Sequence, residues 1–253
     1  MWITIDKIKK EFNKQIWIEI ILTLILYLSS IICDHSKPHH MYIPNQETNP
    51  MISYPFYSLE TFPYPICCII SVVVPSIFVY FFAKKRDSPK YLVIGILAVV
   101  FTFSLTRSVT DLLKLYAGRP RPNFTEMTKA GYAVDAYKSF PSGHTATMFN
   151  SMLFLSLLLY GEFKIFVGNG SSSKMLLCSL PLLFACIVGI SRTRDYYHNF
   201  DDVVAGALIG SVLAYFTYCS KFESLTSKYA GEVEIKTGDY LDLEDEEIYL
   251  TQY

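Results

Sequence analysis

A chain of 253 residues that is 51% hydrophobic and only 18% charged carries too much apolar surface for an ordinary soluble protein, and its mean hydropathy of +0.29 points the same way. With 22 Lys and Arg against 23 Asp and Glu, the net charge of −1 offers no basic field for a polyanion, so nucleic acid is not expected as a partner. The six cysteines lie mostly inside apolar runs without C-x-x-C or Cys/His ligand spacing, which speaks against both a disulfide framework and structural zinc.

In chain order, a charged leader (residues 1–15) precedes six apolar stretches, at roughly 16–33, 64–83, 91–113, 143–160, 175–190 and 202–219. Each approaches the roughly 20 residues a helix needs to cross a bilayer. The first has a long charged lead and no small-x-small cleavage site, so it is read as an anchor rather than a signal peptide. The prediction is an all-α fold, a six-span transmembrane helix bundle over 16–219, followed by an acidic tail over 220–253. Thirteen Lys and Arg flank one set of span ends and eight the other; five of those eight belong to the motifs below. Positive charge marks the cytosolic side, so both termini are expected there and the loops 34–63, 114–142 and 191–201 on the opposite side. From Glu232 to Glu247 eight acids stand against Lys236 alone, a composition that cannot build a core, and a mobile tail is expected. Within it, Tyr240 to Leu243 fits a short sorting pattern that arises often by chance.

Three segments on that opposite face carry the chemistry: Lys114 to Pro122 (KLYAGRPRP), Pro141-Ser-Gly-His144, and Ser191 to Asp202 (SRTRDYYHNFDD). Charged groups this close to hydrocarbon are costly and mark a functional site. A phosphoryl group, with three oxygens and up to two charges, calls for several cations and for backbone N–H groups at a helix start. Lys114, Arg121 and Arg192 supply the charge; Ser142 and Gly143 open a helix whose first N–H groups have no intrahelical partner. Breaking a phosphate ester needs an unprotonated nucleophile and an acid for the departing oxygen. Asp202 follows His198 by four residues and would fix its tautomer on one helix face, which makes His198 the nucleophile; His144, with no adjacent carboxylate in sequence, is the proton donor.

The K-x6-R-P, P-S-G-H and S-R-x5-H-x3-D segments, in this order, resemble those of the type-2 phosphatidic acid phosphatases, the lipid phosphate phosphatase superfamily. The likeness covers about residues 91–219. It implies an integral membrane phosphoric monoester hydrolase that needs no metal or other cofactor. By resemblance the phosphohistidine forms on His198, held by Asp202, with His144 as leaving-group acid and Lys114, Arg121, Ser142, Gly143 and Arg192 binding phosphate. Expected substrates are phosphatidate, lysophosphatidate and, as a further candidate, diacylglycerol pyrophosphate, met at the non-cytosolic interface of a multi-pass protein. Asn123 stands where an acidic residue is frequent in relatives. The alternatives are an isoprenoid or dolichyl pyrophosphate phosphatase, a non-catalytic lipid-phosphate binder, a transporter using Arg107 and Asp111, and vanadate-dependent peroxidase chemistry.

Other polar residues have plainer readings. Arg107, Asp111 and Lys114 share a helix face at i, i+4 and i+7, so Asp111 would neutralise Arg107 and position Lys114. His35, His39 and His40 read as solvated loop residues, because Pro38 disfavours the helix that would align them on a metal. Arg119 and Arg194 stay undecided. Two N-x-S/T sequons occur: Asn169, on the expected cytosolic side, would not be glycosylated, and Asn123 abuts Arg121.

Overall fold

The computed structural model describes residues 3–46, 48–168 and 171–233. Among them the α-helices are α1 (Ile5–Lys10), α2 (Lys14–His35), α3 (Tyr64–Arg86), α4 (Pro89–Ala117), α5 (Phe124–Lys129), α6 (Ala133–Ala136), α7 (Gly143–Glu162), α8 (Ser172–Arg194) and α9 (Phe200–Cys219). No strand occurs among the described residues; a lone bridge joins Phe222 to Val233. The fold is all-α, as expected.

Each of the six apolar stretches is a helix, and local chemistry sets several boundaries. Asn13 accepts the Ile16 N–H at the start of α2, Ser88 accepts that of Tyr91 at the start of α4, and Pro89 occupies the first turn, where its missing N–H costs nothing. Among the described residues, α2, α3, α4, α8 and α9 are long and apolar enough to cross a membrane. α7 falls short of that standard. Fifteen of its 20 residues are buried, including Thr145, Thr147, Asn150, Ser151 and Ser156, because α3, α4, α8 and α9 all pack around it. A helix enclosed by protein has no lipid face to keep apolar. The outer helices do: Trp17, Ile21, Leu24 and Leu28 on α2, and Val204, Leu208 and Phe216 on α9, are exposed apolar side chains of the kind a lipid chain covers.

Small residues bring α7 and α9 together. On α9 Gly206 and Gly210 are four residues apart; a Cβ on Gly210 would stand 2.2 Å from the Ala146 carbonyl oxygen and 2.9 Å from the Asn150 nitrogen. The close approach allows Asn150 Nδ2 to donate to the Gly210 carbonyl at 3.2 Å and to Thr102 Oγ1 at 2.8 Å.

The bundle has an apolar end and a polar end. Val79, Phe82, Tyr91, Val99, Phe154, Leu158, Ala214 and Tyr218 form the main core at one end. Residues 220–233, assigned to the tail from the sequence, cover that end: Phe222 and Val233 join the core, and Arg86 donates to the Gly231 carbonyl and pairs with Glu162 and Glu232. The expected mobile tail beyond Val233, with the sorting pattern at Tyr240 to Leu243, lies outside the described residues, as does Asn169. At the other end the 36–63 loop forms a roof. Backbone bonds from His39 to Leu115, Met41 to Gly118 and Tyr54 to Pro122 tie it to the segment after α4, and Ile43 and Ile52 pack on Phe124, Met127 and Ala136. Asn123 is fully buried beneath this roof, which closes its sequon to a glycan in the folded protein.

Candidate active site

The three motif segments meet at the polar end. Lys114 sits in the last turn of α4, Arg121 in the loop that follows, His144 in the first turn of α7, Arg192 in the last turn of α8, His198 in the α8–α9 loop and Asp202 in the first turn of α9. A backbone bond from the Ser142 N–H to the Asp202 carbonyl (3.0 Å) locks the start of α7 to the start of α9. Under the roof lies a cavity of about 620 Å³ lined by Lys114, Arg121, Gly143, His144 and His198, and also by Glu60, Tyr64, Arg107, Asp111, Lys138 and Tyr197.

Four cations, Arg107, Lys114, Arg121 and Lys138, face this space, the first three held by different means. The Lys114 ammonium rests over Gly143, where a Cβ would fall 2.9 Å from Nζ, and is held 3.5 Å from Asp111. Asp111 also accepts from Ser30 at 2.7 Å and lies 3.8 Å from Arg107, so the i, i+4, i+7 alignment read from the sequence is a linked set. Arg107 stands over the ring of Tyr64, which packs edge-on against His144. Arg121 Nε donates to the Asp135 carbonyl at 2.9 Å and its guanidinium covers the Tyr197 ring. Burial lowers the Arg121 pKa from its ordinary value, against the opposing pull of Asp135, Glu60 and Asp202.

His198 is buried, with Nδ1 3.6 Å from Asp202 Oδ2. That gap is wider than a hydrogen bond, and Nδ1 has no hydrogen-bond partner in this state. Asp202 itself is saturated: Oδ1 accepts from Arg119 Nη1 at 2.7 Å, and Oδ2 accepts from Ser139 Oγ at 2.6 Å and from the Asn199 N–H at 2.9 Å. Burial pushes the His198 pKa down to about 3, against the pull of Asp202 and with the help of Arg121, so the ring is neutral.

Two sequence-derived phosphate ligands differ from the open cations. Ser142 is fully buried and accepts from the Thr145 N–H and hydroxyl; it starts the helix, and Gly143 is the residue that borders the cavity. Arg192 is fully buried and lies behind the cavity wall. Its Nη1 is 3.4 Å from His144 Nε2 but donates to Glu60 Oε2 at 2.5 Å, while Nη2 donates to Asp195 at 2.8 Å. Glu60 also approaches His144 Nε2 at 3.1 Å.

Four residues of this environment escaped the sequence reading. Glu60, Thr61, Ser139 and Asp195 belong to no spacing that the motifs define, and Glu60 is 132 positions from the Arg192 it meets. Arg119, undecided from sequence, joins Asp201 and Asp202, whereas Arg194 is exposed and apart from the cavity.

Fold and site together define a multi-pass helical membrane protein with a cationic, two-histidine cavity at one end of its bundle. Residues 91–225 match the PAP2 superfamily model, and the chain belongs to that family. It is 36% identical over 224 residues to lipid phosphate phosphatase 1 of Arabidopsis thaliana, covering 81% of this chain and 67% of that protein. A probable diacylglycerol pyrophosphate phosphatase 1 of Schizosaccharomyces pombe is 33% identical over 195 residues (69% and 70%), and phospholipid phosphatase 1 of Mus musculus 29% over 220 residues (70% and 75%). No solved structure gives a significant match.

Proposed function

We propose that this protein is a membrane lipid phosphatase that hydrolyses phosphatidate-type phosphomonoesters through a phosphohistidine on His198. The observation that carries the reading is the convergence of Lys114, Arg121, His144 and His198 on one cavity, with Arg192 within 3.4 Å of His144. Relatives named as lipid phosphate and diacylglycerol pyrophosphate phosphatases support the substrate class.

In this reading the phosphoryl oxygens take the ammonium of Lys114, the guanidinium of Arg121 and the free N–H groups at the start of α7. With Nδ1 turned to Asp202, His198 Nε2 attacks phosphorus, the bond from phosphorus to the lipid oxygen breaks, and that oxygen takes a proton from His144. Water then attacks the phosphohistidine and gives up its proton to His144, so inorganic phosphate leaves and both rings return to their starting states. Asp202 stabilises the imidazolium that develops on His198, and its own place is fixed by Arg119, Ser139 and Asn199.

The membrane arrangement belongs to the same proposal. α7 is counted as the fourth of six spans, tolerated at bilayer depth because its polar residues are enclosed. Both termini are then cytosolic and the cavity opens at the opposite interface, where a headgroup enters with its acyl chains still in the bilayer. The test is phosphate release by the purified protein from a panel of lipid phosphates in detergent with EDTA present. Release from acylglycerol phosphates supports the reading, and a protein that binds these lipids without turnover refutes it.

A further inference from the structure

Resting on the phosphatase reading, we infer that Glu60 is the resident anion of the phosphate site, a carboxylate that holds the place of a phosphoryl oxygen and yields it to substrate. Its Oε2 touches Arg192 Nη1 at 2.5 Å and His144 Nε2 at 3.1 Å, the first a group expected to bind phosphate and the second the expected acid for the leaving oxygen. Glu60 lines the cavity, whereas Arg192 is fully buried behind it. Arg192 therefore reaches a bound phosphate only where Glu60 now sits. An anion in that place is no accident of a loose side chain, since the site is built to keep it there.

The holding device is Asp195. It accepts from both the backbone N–H (2.8 Å) and the hydroxyl (2.7 Å) of Thr61, the residue next to Glu60, and from Arg192 Nη2 at 2.8 Å. One guanidinium is thus bracketed by two carboxylates, with Thr61 tying the roof to the second. Tyr197 donates to the Tyr57 carbonyl at 2.9 Å, and Tyr54 stacks on Tyr196, so the roof is fastened on either side of the same helix end. Burial alone would raise the Glu60 carboxyl, yet the His144 and Arg192 contacts hold it below the usual carboxylate range, and it enters the site charged.

A charged occupant has a definite effect on binding. Substrate and product phosphate must both displace it, so part of the attraction of Arg192 and His144 for phosphate is cancelled by the displaced like charge. The weakening falls most heavily on inorganic phosphate, which has no acyl chains to offset it. Glu60 would therefore limit product inhibition and tune which phosphoryl ligands remain in the cage. It is a specificity residue of the roof, distinct from Asp202, which is fixed in place by Arg119, Ser139 and Asn199.

The experiment compares wild type with Glu60→Gln, a neutral side chain of the same shape. Binding of inorganic phosphate and of orthovanadate to the purified protein in detergent is measured by titration without substrate, alongside inhibition of turnover. Glu60→Gln should bind both anions about tenfold or more tightly, with a matching fall in the inhibition constant for phosphate. Should Glu60→Gln fail to fold, Thr61→Val keeps the carboxylate but removes the hydroxyl bond to Asp195, and should tighten phosphate binding in the same direction to a smaller degree. Unchanged or weaker anion binding, with the loss confined to kcat, would overturn the inference and make Glu60 a support for the His144 proton. If neither wild type nor variant binds either anion, the phosphate-site reading fails along with it.

Discussion

At the scale of single residues, the account turns on what each side chain of the cage touches. His198 is the one group without a substitute: His198→Ala should abolish both turnover and the labelled phosphoenzyme, while expression and melting temperature stay close to wild type. Arg119 acts one step removed. It lies outside the cavity lining but supplies one of the three hydrogen bonds on the buried Asp202 carboxylate. Losing a bond to a buried charge costs about 1.5–3 kcal/mol, so Arg119→Gln should lower kcat by about tenfold or more with KM little changed. A KM effect without a kcat effect would instead make Arg119 a substrate contact. Gly143 is limited by Lys114: the Cβ of Gly143→Ala would fall 2.9 Å from Nζ, at the end of a flexible side chain that moves aside at little cost in stability. Gly143→Ala should therefore weaken phosphate binding with little change in melting temperature. The His198 pKa, pushed down to about 3 by burial, also has a sign that stability measurements can read. Between pH 6.5 and about 3 the unfolded chain binds the extra proton and the native chain does not, so this contribution is intact above 6.5 and is lost as pH falls. The melting temperature in detergent should drop more steeply from pH 7 to 5 for wild type than for His198→Asn; parallel curves would contradict the buried neutral ring.

At the scale of helices, the position of the cage depends on how closely α7 meets α9. These helices carry His144 and Asp202, and Gly206 and Gly210 permit their approach. A methyl at Gly210 would meet backbone, 2.2 Å from the Ala146 carbonyl oxygen, which cannot swing away as a side chain does. Overpacking of this kind costs about 1–3 kcal/mol. Gly210→Ala should lower the melting temperature and reduce activity together, while Leu208→Ala, on the exposed face of the same helix, should do neither. Equal tolerance at both positions would show that the helices are not held by that contact. The six long helices were legible from apolar run length, because helices of this length bury apolar residues in long runs. The enclosed character of α7 was legible only in part: its polar residues Thr145, Thr147, Asn150, Ser151 and Ser156 leave it less apolar than the other long helices, but that they face protein on all sides is set by packing. The motif residues were legible because their spacing along the chain carries the chemistry. Lys114, Arg121, His144 and His198 do share one cavity, yet the spacing said nothing of Glu60, which reaches Arg192 through the folding of a roof with no periodic pattern. For Ser142 and Arg192, expected from the motifs and the resemblance to bind phosphate, it left unseen that the Ser142 hydroxyl also caps the start of α7 and that Arg192 is paired with Glu60 and Asp195.

At the scale of the whole molecule, polarity is sorted along the bundle: an apolar core and the 220–233 strap at one end, the cavity and roof at the other. That sorting makes a membrane topology testable. If α7 crosses, the number of spans is even, and epitopes placed at the two termini should be accessible from the same side of sealed vesicles; opposite sides would leave α7 short of a crossing. In the proposed membrane arrangement the same sorting gives a reason for phosphatase chemistry on a helix bundle, since a cavity at a bundle end would meet headgroups and leave the acyl chains in place. The most direct measurement of the central claim is the fate of phosphorus: purified wild type given lipid phosphate labelled on its phosphoryl group, in detergent with EDTA, then quenched and mapped. The account predicts an acid-labile, base-stable label on His198 that forms before inorganic phosphate is released and is missing from His198→Ala; label retained in that variant, or phosphate released by it at the wild-type rate, would contradict it.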